Sequence, residues 1–188
     1  MRKIGILGGT FDPPHNGHLL IAYEVLNALN LDEVWFMPAH VPPHKQDDHV
    51  SCSIHRLEMV KKAISGHKQF KLQPIELERE GSSYSYDTIK ILKETYIEDE
   101  LFFIIGGDMI EYLPKWYKIE ELVKMITFVG VGRAGYSNDS IYPIIHVEMP
   151  LFEVSSSFIR ERYKAGGNTE VLVPPLVKKY IEENRIYE

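Results

Sequence analysis

The sequence is poor in cysteine and has no long apolar run. Cys52 is its single cysteine, so no disulfide can form within the chain and no cysteine-rich metal site is available. No stretch reaches the roughly 18 to 20 apolar residues that a membrane-spanning helix needs. The apolar run at the amino end is too short for a signal peptide. We therefore expect a soluble cytoplasmic protein that does not bind membranes.

An excess of positive charge is missing as well. Lysine and arginine number 21 against 27 aspartates and glutamates, and the formal net charge is −6. Broad nucleic-acid binding needs a basic face, so this balance disfavours nucleic acid as a partner. A few well-placed cations can still define a pocket for an anionic small molecule in an acidic protein.

Two familiar phosphate-binding loops are also absent. The sequence contains no GxxxxGK[ST], and no GxGxxG follows the first predicted strand. Glycines nevertheless end three apolar runs, at Gly8-Gly9, at Gly106-Gly107 and in "VGVGR" with Gly130 and Gly132. Because glycine lets a ligand approach the backbone closely, the three together predict a nucleotide crevice. Tight turns are the alternative for any single pair.

The chain alternates strand patterns with helix patterns. Near-continuous apolar runs such as "KIGILGG", "ELFFIIGG" and "ITFVGVG" predict buried strands, whereas "FKLQPIELE" predicts an edge strand because of its proline. This alternation predicts an α/β fold, a doubly wound Rossmann-like parallel sheet with helices on both faces. We expect one domain over residues 1–188, with a small helical part from about residue 155.

Helical spacing also suggests which side of one helix is buried. In "SIHRLEMVKKAIS" the apolar residues Ile54, Leu57, Val60 and Ile64 recur at helical intervals, which predicts that they share one side.

One predicted strand-to-helix turn carries two histidines. In "GGTFDPPHNGH", His15 and His18 are three residues apart, so they can lie on one side of a helix that begins near Asn16 or Gly17. A helix N-terminus attracts anions, and imidazoles beside it can stabilise charge on transferring phosphate oxygens. Packing, capping, or half of a metal site are the alternatives for these histidines.

This segment resembles the signature of the nucleotidylyltransferase superfamily, which contains HxGH. "VSSSFIR" at Val154–Arg160 is similar to a second family element, ISSTxIR, and follows the first by about 140 residues in the expected order. The blocks "PPHK", "SYSYDTIKIL", "FFIIGGDM" and "LPKWYKIEEL" resemble the bacterial nicotinate-nucleotide adenylyltransferases. The resemblance covers essentially the whole chain.

The resemblance implies a reaction of NAD biosynthesis: ATP and nicotinate mononucleotide give deamido-NAD and pyrophosphate. The mononucleotide phosphate would attack the α-phosphorus, so the protein needs no nucleophile, and the sequence shows no serine–histidine or cysteine–histidine constellation. Mg²⁺ is expected with ATP. No acidic cluster at metal spacing is evident, so we expect phosphates and water to hold the ion, with no protein ligands.

The resemblance also assigns roles to residues. His18 would contact the α-phosphate, His15 the β- or γ-phosphate, and Arg160 the leaving pyrophosphate; these three are the catalytic candidates. The remaining ATP-binding candidates are Gly8, Gly9, Thr10, Gly106, Asp108, Arg133 and Ser156, and the mononucleotide candidates are Lys45, Thr88, Trp116 and Tyr117.

Several of these candidates have a more specific or an alternative role. Asp108 would bond the ATP ribose, with helix capping as its alternative, and Trp116 would stack on the nicotinate ring. Trp35 has apolar neighbours typical of a core residue. Asp12 is expected to bond backbone N–H groups of its own turn.

Other functions stay open at the level of sequence. The acceptor could be nicotinamide mononucleotide or another phosphorylated compound, or the chain could be a nucleotide-binding regulator that has lost catalysis. The intact histidines and arginine argue against the regulator. The oligomeric state is not fixed by the sequence, and a homo-oligomer is left open.

Overall fold

The computed structural model describes residues 1–40, 50–79, 84–132, 140–150 and 152–187. For Asp108, within the third of these ranges, it describes the backbone alone. These residues form a six-stranded, all-parallel sheet. Its strands are β1 (Lys3–Gly9), β2 (Glu33–Pro38), β3 (Phe70–Leu72), β4 (Glu100–Gly106), β5 (Thr127–Gly132) and β6 (Ile144–Glu148), in the order β3-β2-β1-β4-β5-β6. The predicted parallel sheet is confirmed, and the proline-containing segment forms an edge strand that ends before Pro74.

Helices connect the strands and cover the sheet. They are α1 (Asn16–Ala28), α2 (Ser53–Ile64), α3 (Ser85–Thr95), α4 (Gly107–Tyr112), α5 (Ile119–Met125), α6 (Ser156–Lys164) and α7 (Pro175–Asn184), with a 3-10 turn at Leu113–Lys115. Among the helices that the structure describes, none combines the length and the apolar composition that crossing a bilayer requires.

Two buried clusters lie on opposite faces of the sheet. Successive side chains of a strand point to opposite faces, and accordingly Phe102 and Ile104 belong to one cluster whereas Phe103 and Ile105 belong to the other. The first cluster includes buried residues of α1, α2, α6 and α7, and the second includes residues of α3, α4 and α5. The fold is therefore the expected doubly wound α/β sandwich.

The strand order places a crevice at the centre of the sheet. β1 pairs with β2 on one side and with β4 on the other, so the direction of winding reverses between β1 and β4. Ligands of doubly wound sheets bind at such a reversal, outside the carboxyl ends of the strands. Gly9 and Gly106 are those carboxyl ends here.

The side assigned to α2 from its apolar spacing is wrong in part. Ile54 is 67% exposed, and the buried residues of this helix are Arg56, Met59, Val60, Ala63 and Ile64. The buried residues of α2 do recur at helical intervals, but one of them is an arginine. A pattern based on apolar residues alone therefore does not include that position.

Helices α6 and α7 pack into the same core as the sheet. Ile159 of α6 and Val177 of α7 are completely buried in the cluster that contains Leu7 and Val34 of the strands. The helical part that begins near residue 155 thus shares its hydrophobic core with the amino-terminal half of the chain.

Candidate active site

A cavity of about 540 Å³ opens at the carboxyl ends of β1 and β4. It contains most of the residues that the sequence nominates, namely Gly8, Gly9, Thr10, His15, His18, Gly106, Trp116, Tyr117, Ser156 and Arg160. A smaller cavity of about 220 Å³ lies at the amino ends of β4 and β5, beside Glu100 and Thr127, and none of the nominated residues that the structure describes lines it. The larger cavity is therefore the candidate active site.

Four nominated residues are not seen in this cavity. Thr88 is fully buried, and its hydroxyl lies 2.9 Å from Oε1 of Glu76 and accepts a hydrogen bond from Arg79 at 3.2 Å. Thr88 thus sits behind Glu76, which itself lines the cavity. Lys45 and Arg133 lie outside the described residues, and for Asp108 only the backbone, in the first turn of α4, is described.

The two histidines stack on each other at the start of α1. Their ring centroids are 3.7 Å apart with an interplanar angle of 29°. Nδ1 of His18 accepts the backbone N–H of His15 at 3.1 Å, which is the half of a capping box that an N3 side chain supplies. A neutral His18 ring therefore carries its proton on Nε2, where it is a donor.

Gly17 makes this stacked arrangement sterically feasible. A Cβ atom at this position would lie 3.0 Å from both Cε1 and Nδ1 of His15, and 3.2 Å from Phe152. Any side chain at position 17 would push the His15 ring aside, which gives the HxGH spacing a physical reason.

The α1 N-terminus is less available to an anion than the sequence suggests. The backbone N–H of Asn16 donates to the carbonyl of Leu172 at 2.9 Å, and the Asn16 side-chain amide donates to the carbonyl of Val171 at 2.9 Å. The segment before α7 thus occupies donors at this helix end, so an anion in the cavity would depend more on the histidine side chains.

Burial keeps the His15 side chain uncharged when no anion is bound. Its side chain is 6% exposed, and burial lowers the pKa of His15 to about 4. The ring is consequently neutral near pH 7 and can act as a hydrogen-bond donor, while a bound polyphosphate would favour its protonation.

This lowered pKa predicts an acid-dependent loss of stability. The unfolded state protonates His15 near pH 6.5 and the folded state only near pH 4, so folding stability falls as the pH drops through that window. Between pH 7 and pH 5 we expect a loss of about 2 kcal/mol from this residue. Urea unfolding of the wild type and of His15→Gln at both pH values measures it, since the other groups cancel in the difference. Equal pH dependence in the two proteins would contradict the assignment.

Arg160 and Ser156 connect α6 to the histidine-containing turn. Nη1 of Arg160 donates to the carbonyl of Asp12 at 2.8 Å, and its Nη2 donates to Oγ of Ser157 at 3.2 Å. The hydroxyl of Ser156 donates to the carbonyl of Pro13 at 2.9 Å. Two motifs that lie about 140 residues apart in sequence are thereby hydrogen-bonded to each other.

Asp12 is structural as expected, but its partners are distant in sequence. Its carboxylate accepts the backbone N–H of Ser51 at 2.9 Å and the hydroxyl of Tyr187 at 2.7 Å, not N–H groups of its own turn. The preceding residue, Phe11, has a positive φ of 51° and directs its ring over Gly9.

The glycines at the strand ends do not all make room for a ligand. A Cβ atom at Gly9 would lie 3.0 to 3.3 Å from the ring of Phe11, and one at Gly130 would lie 2.7 Å from Ile110. The protein itself uses those two spaces. Around a Cβ atom at Gly132, no described residue comes within 4 Å, so the described part of the chain leaves space at only some of these ends.

Trp116, the residue predicted to stack on the nicotinate ring, lines the cavity. It is half-buried in the cavity wall, and its ring meets Phe103 edge-on at 5.8 Å and Phe128 at 6.0 Å. Trp35, by contrast, is buried and donates its indole N–H to Glu33, as a core residue would.

Tyr117 belongs to an exposed aromatic group beside Trp116. Its ring is 4.8 Å from that of Tyr84, and the ammonium of Lys118 lies 5.4 Å from its centroid. Tyr84 and Lys115 also line the cavity, although neither was nominated from the sequence.

Arg56 is a buried charged residue that the sequence motifs do not indicate. It is 2% exposed, and its guanidinium donates to the backbone carbonyls of Thr10, Ala39, His40 and Ser51 at 2.6 to 3.1 Å. Burial lowers the pKa of Arg56. An arginine at a buried position of an amphipathic helix was the available signal.

Comparison with known proteins places this architecture in a family context. Residues 6–162 match the model of the cytidylyltransferase-like family. The nicotinate-nucleotide adenylyltransferase of Bacillus subtilis is 57% identical over 188 residues, covering all of both chains. Among solved structures, the nicotinic acid mononucleotide adenylyltransferase of Plasmodium falciparum complexed with NaAD superposes with a TM-score of 0.83 over 100% of this chain and 98% of that one. At 22% identity, that likeness concerns the fold.

Proposed function

This chain belongs to the cytidylyltransferase-like family and, within it, to the nicotinate-nucleotide adenylyltransferases, and we propose on that basis that it transfers the adenylyl group of ATP to nicotinate mononucleotide. The products are deamido-NAD and pyrophosphate, which makes the reaction a step of NAD biosynthesis.

One observation carries the mechanism: a single cavity contains His15, His18 and Arg160. The reaction joins two polyanions and releases a third, so its main requirement is to position phosphates and to stabilise charge. The donors of the amino-terminal turn and of α6 thus line the same cavity. This arrangement suits a bound triphosphate whose α-phosphorus is attacked by the mononucleotide phosphate from the side opposite the leaving pyrophosphate.

The chain supplies donors and no covalent nucleophile. An oxygen of the mononucleotide phosphate forms the new bond to the α-phosphorus of ATP, and the bond from that phosphorus to the bridging oxygen breaks. Nε2–H of His18 then donates to the α-phosphate oxygens, where charge develops. Arg160 stabilises the negative charge that accumulates on the departing pyrophosphate, since its guanidinium can bind two phosphate oxygens at once.

Mg²⁺ enters this scheme with ATP. In the described part of the chain, no three histidine, cysteine, aspartate or glutamate side chains converge as a metal site. The Asp12 carboxylate is engaged by Tyr187 and Ser51. This donor set supports an ion held by phosphate oxygens and water, where it would neutralise phosphate charge.

The nicotinate ring would stack on Trp116. Replacing Trp116 with alanine should raise KM for the mononucleotide by about 10- to 100-fold, the range that loss of one aromatic stacking contact gives. KM for ATP should change little, because ATP lies toward the histidines. Trp116→Phe, which keeps a ring against Phe103, should recover most of the loss. An equal rise in both KM values would contradict the stacking role.

The function itself is tested by measuring pyrophosphate release from ATP with a panel of phosphorylated acceptors. We expect fastest turnover with nicotinate mononucleotide and formation of deamido-NAD. Faster turnover with nicotinamide mononucleotide would change the substrate, and no release with any acceptor would favour a nucleotide-binding regulator. The composition, with one cysteine, supports action in the reducing cytoplasm.

A further inference from the structure

We propose that Tyr187 is a positioning residue for adenylyl transfer, which holds the Asp12 carboxylate and so keeps Arg160 available to pyrophosphate. The inference rests on the proposed function for the role of Arg160. It concerns a residue outside the family motifs, which the chain after α7 brings into contact with Asp12 of the cavity wall.

Asp12 is the point at which four parts of the chain meet. Its Oδ1 accepts the Tyr187 hydroxyl at 2.7 Å and its Oδ2 accepts the Ser51 N–H at 2.9 Å. Its backbone carbonyl accepts Nη1 of Arg160 at 2.8 Å. The residue is 1% exposed, so water contributes little to the solvation of this carboxylate.

Tyr187 is buried in the core, where packing holds its hydroxyl in position to donate to Asp12. Its side chain is 6% exposed, and its ring packs 5.8 Å from that of Tyr163. Arg185 adopts a left-handed conformation with φ of 49° after α7, which ends the helix and turns the chain inward. Burial, together with the neighbouring Asp12 carboxylate, raises the pKa of Tyr187, so the hydroxyl keeps its proton.

Loss of this donor would redirect Arg160. Without the Tyr187 hydroxyl, Oδ1 of Asp12 would be a buried anionic oxygen in need of a donor. Two cations neighbour this carboxylate, Arg56 and Arg160. The guanidinium of Arg56 is held by four backbone carbonyls, whereas that of Arg160 already bonds the carbonyl of Asp12 and can turn to its carboxylate. A guanidinium paired with Asp12 in this way would be withdrawn from the phosphates. Tyr187 therefore prevents an ion pair that competes with the substrate.

The test compares Tyr187→Phe with a matched control. Tyr163→Phe removes a hydroxyl from the adjacent ring and leaves the contacts of Asp12 in place. Binding of pyrophosphate, measured by calorimetry, should weaken about tenfold in Tyr187→Phe, the loss expected for one hydrogen bond to a charged group. KM for ATP should rise by a similar factor, KM for the mononucleotide should stay unchanged, and Tyr163→Phe should match the wild type in all three values.

A double variant separates positioning from a general structural effect. In Asp12→Asn/Tyr187→Phe the competing charge is gone, so pyrophosphate affinity should return to the wild-type value even if Tyr187→Phe alone folds poorly. Unchanged pyrophosphate binding in Tyr187→Phe, an equal rise in both KM values, or no recovery in the double variant would each overturn the proposal. A wild type that binds pyrophosphate but transfers no adenylyl group would instead refute the proposed function.

Discussion

Replacing His18 with alanine is expected to lower kcat by a factor of about 10² to 10³, the usual loss for one preorganised donor to a developing charge. The donor is Nε2–H, because Nδ1 of the same ring is occupied by the backbone N–H of His15. The charge on the α-phosphate oxygens grows only as the transition state forms. We therefore expect KM for ATP to change little, and steady-state rates of pyrophosphate release give both values.

His18 also caps α1, and a second variant separates that role from catalysis. In His18→Asn, the side-chain oxygen of asparagine can still accept the N–H of His15. The shorter side chain places no donor at the position of Nε2. Its thermal stability should stay near that of the wild type while its kcat falls as far as in His18→Ala. If His18→Asn kept wild-type kcat, the hydrogen bond from Nε2 would not be part of catalysis.

Replacing Arg160 with methionine is the second large effect. We expect kcat/KM for ATP to fall by a factor of about 10² to 10³, because the leaving pyrophosphate loses a bidentate, charged donor. Lysine keeps the charge but not the planar fork, so Arg160→Lys should lie between the wild type and Arg160→Met. Titration with ATP at saturating mononucleotide measures the difference.

Arg162 provides the matched control in the same helix. Its guanidinium stacks on Phe158 at 4.5 Å from the ring centroid and reaches the carbonyl of Asn168, away from the cavity residues. Arg162→Met removes one positive charge from α6 but should leave kcat/KM for ATP unchanged. A similar loss in both variants would mean that the net charge of α6 matters and that Arg160 has no specific contact.

The sequence predicts the fold well because its periodic patterns depend on local physics. Apolar strands that end in glycine, such as the one ending at Gly106, lie where expected, and so does the helix that begins at Asn16. The side of α2 was misjudged because Arg56 is buried by hydrogen bonds to backbone carbonyls. These carbonyls belong to segments of the chain outside α2, and the apolar periodicity of the helix does not indicate them.

Motifs predict the residues of the candidate site, but the contacts that support them are non-local. Resemblance nominated His15, His18 and Arg160, and the fold brings them to one cavity. The bonds that hold them there, from Arg160 to Asp12 and from Tyr187 to Asp12, join residues separated by 148 and 175 positions. No spacing rule links residues so far apart. The burial that lowers the pKa of His15 is likewise a property of the folded chain, and no spacing in the sequence indicates it.

The central claim is that the triphosphate of ATP lies between the histidine turn and α6. A crystal structure with a non-hydrolysable ATP analogue tests it most directly. The account predicts that the phosphate oxygens contact Nε2 of His18 and the Arg160 guanidinium, with the analogue in the cavity between β1 and β4. A triphosphate bound at another surface, with His18 and Arg160 out of hydrogen-bond reach, would contradict it.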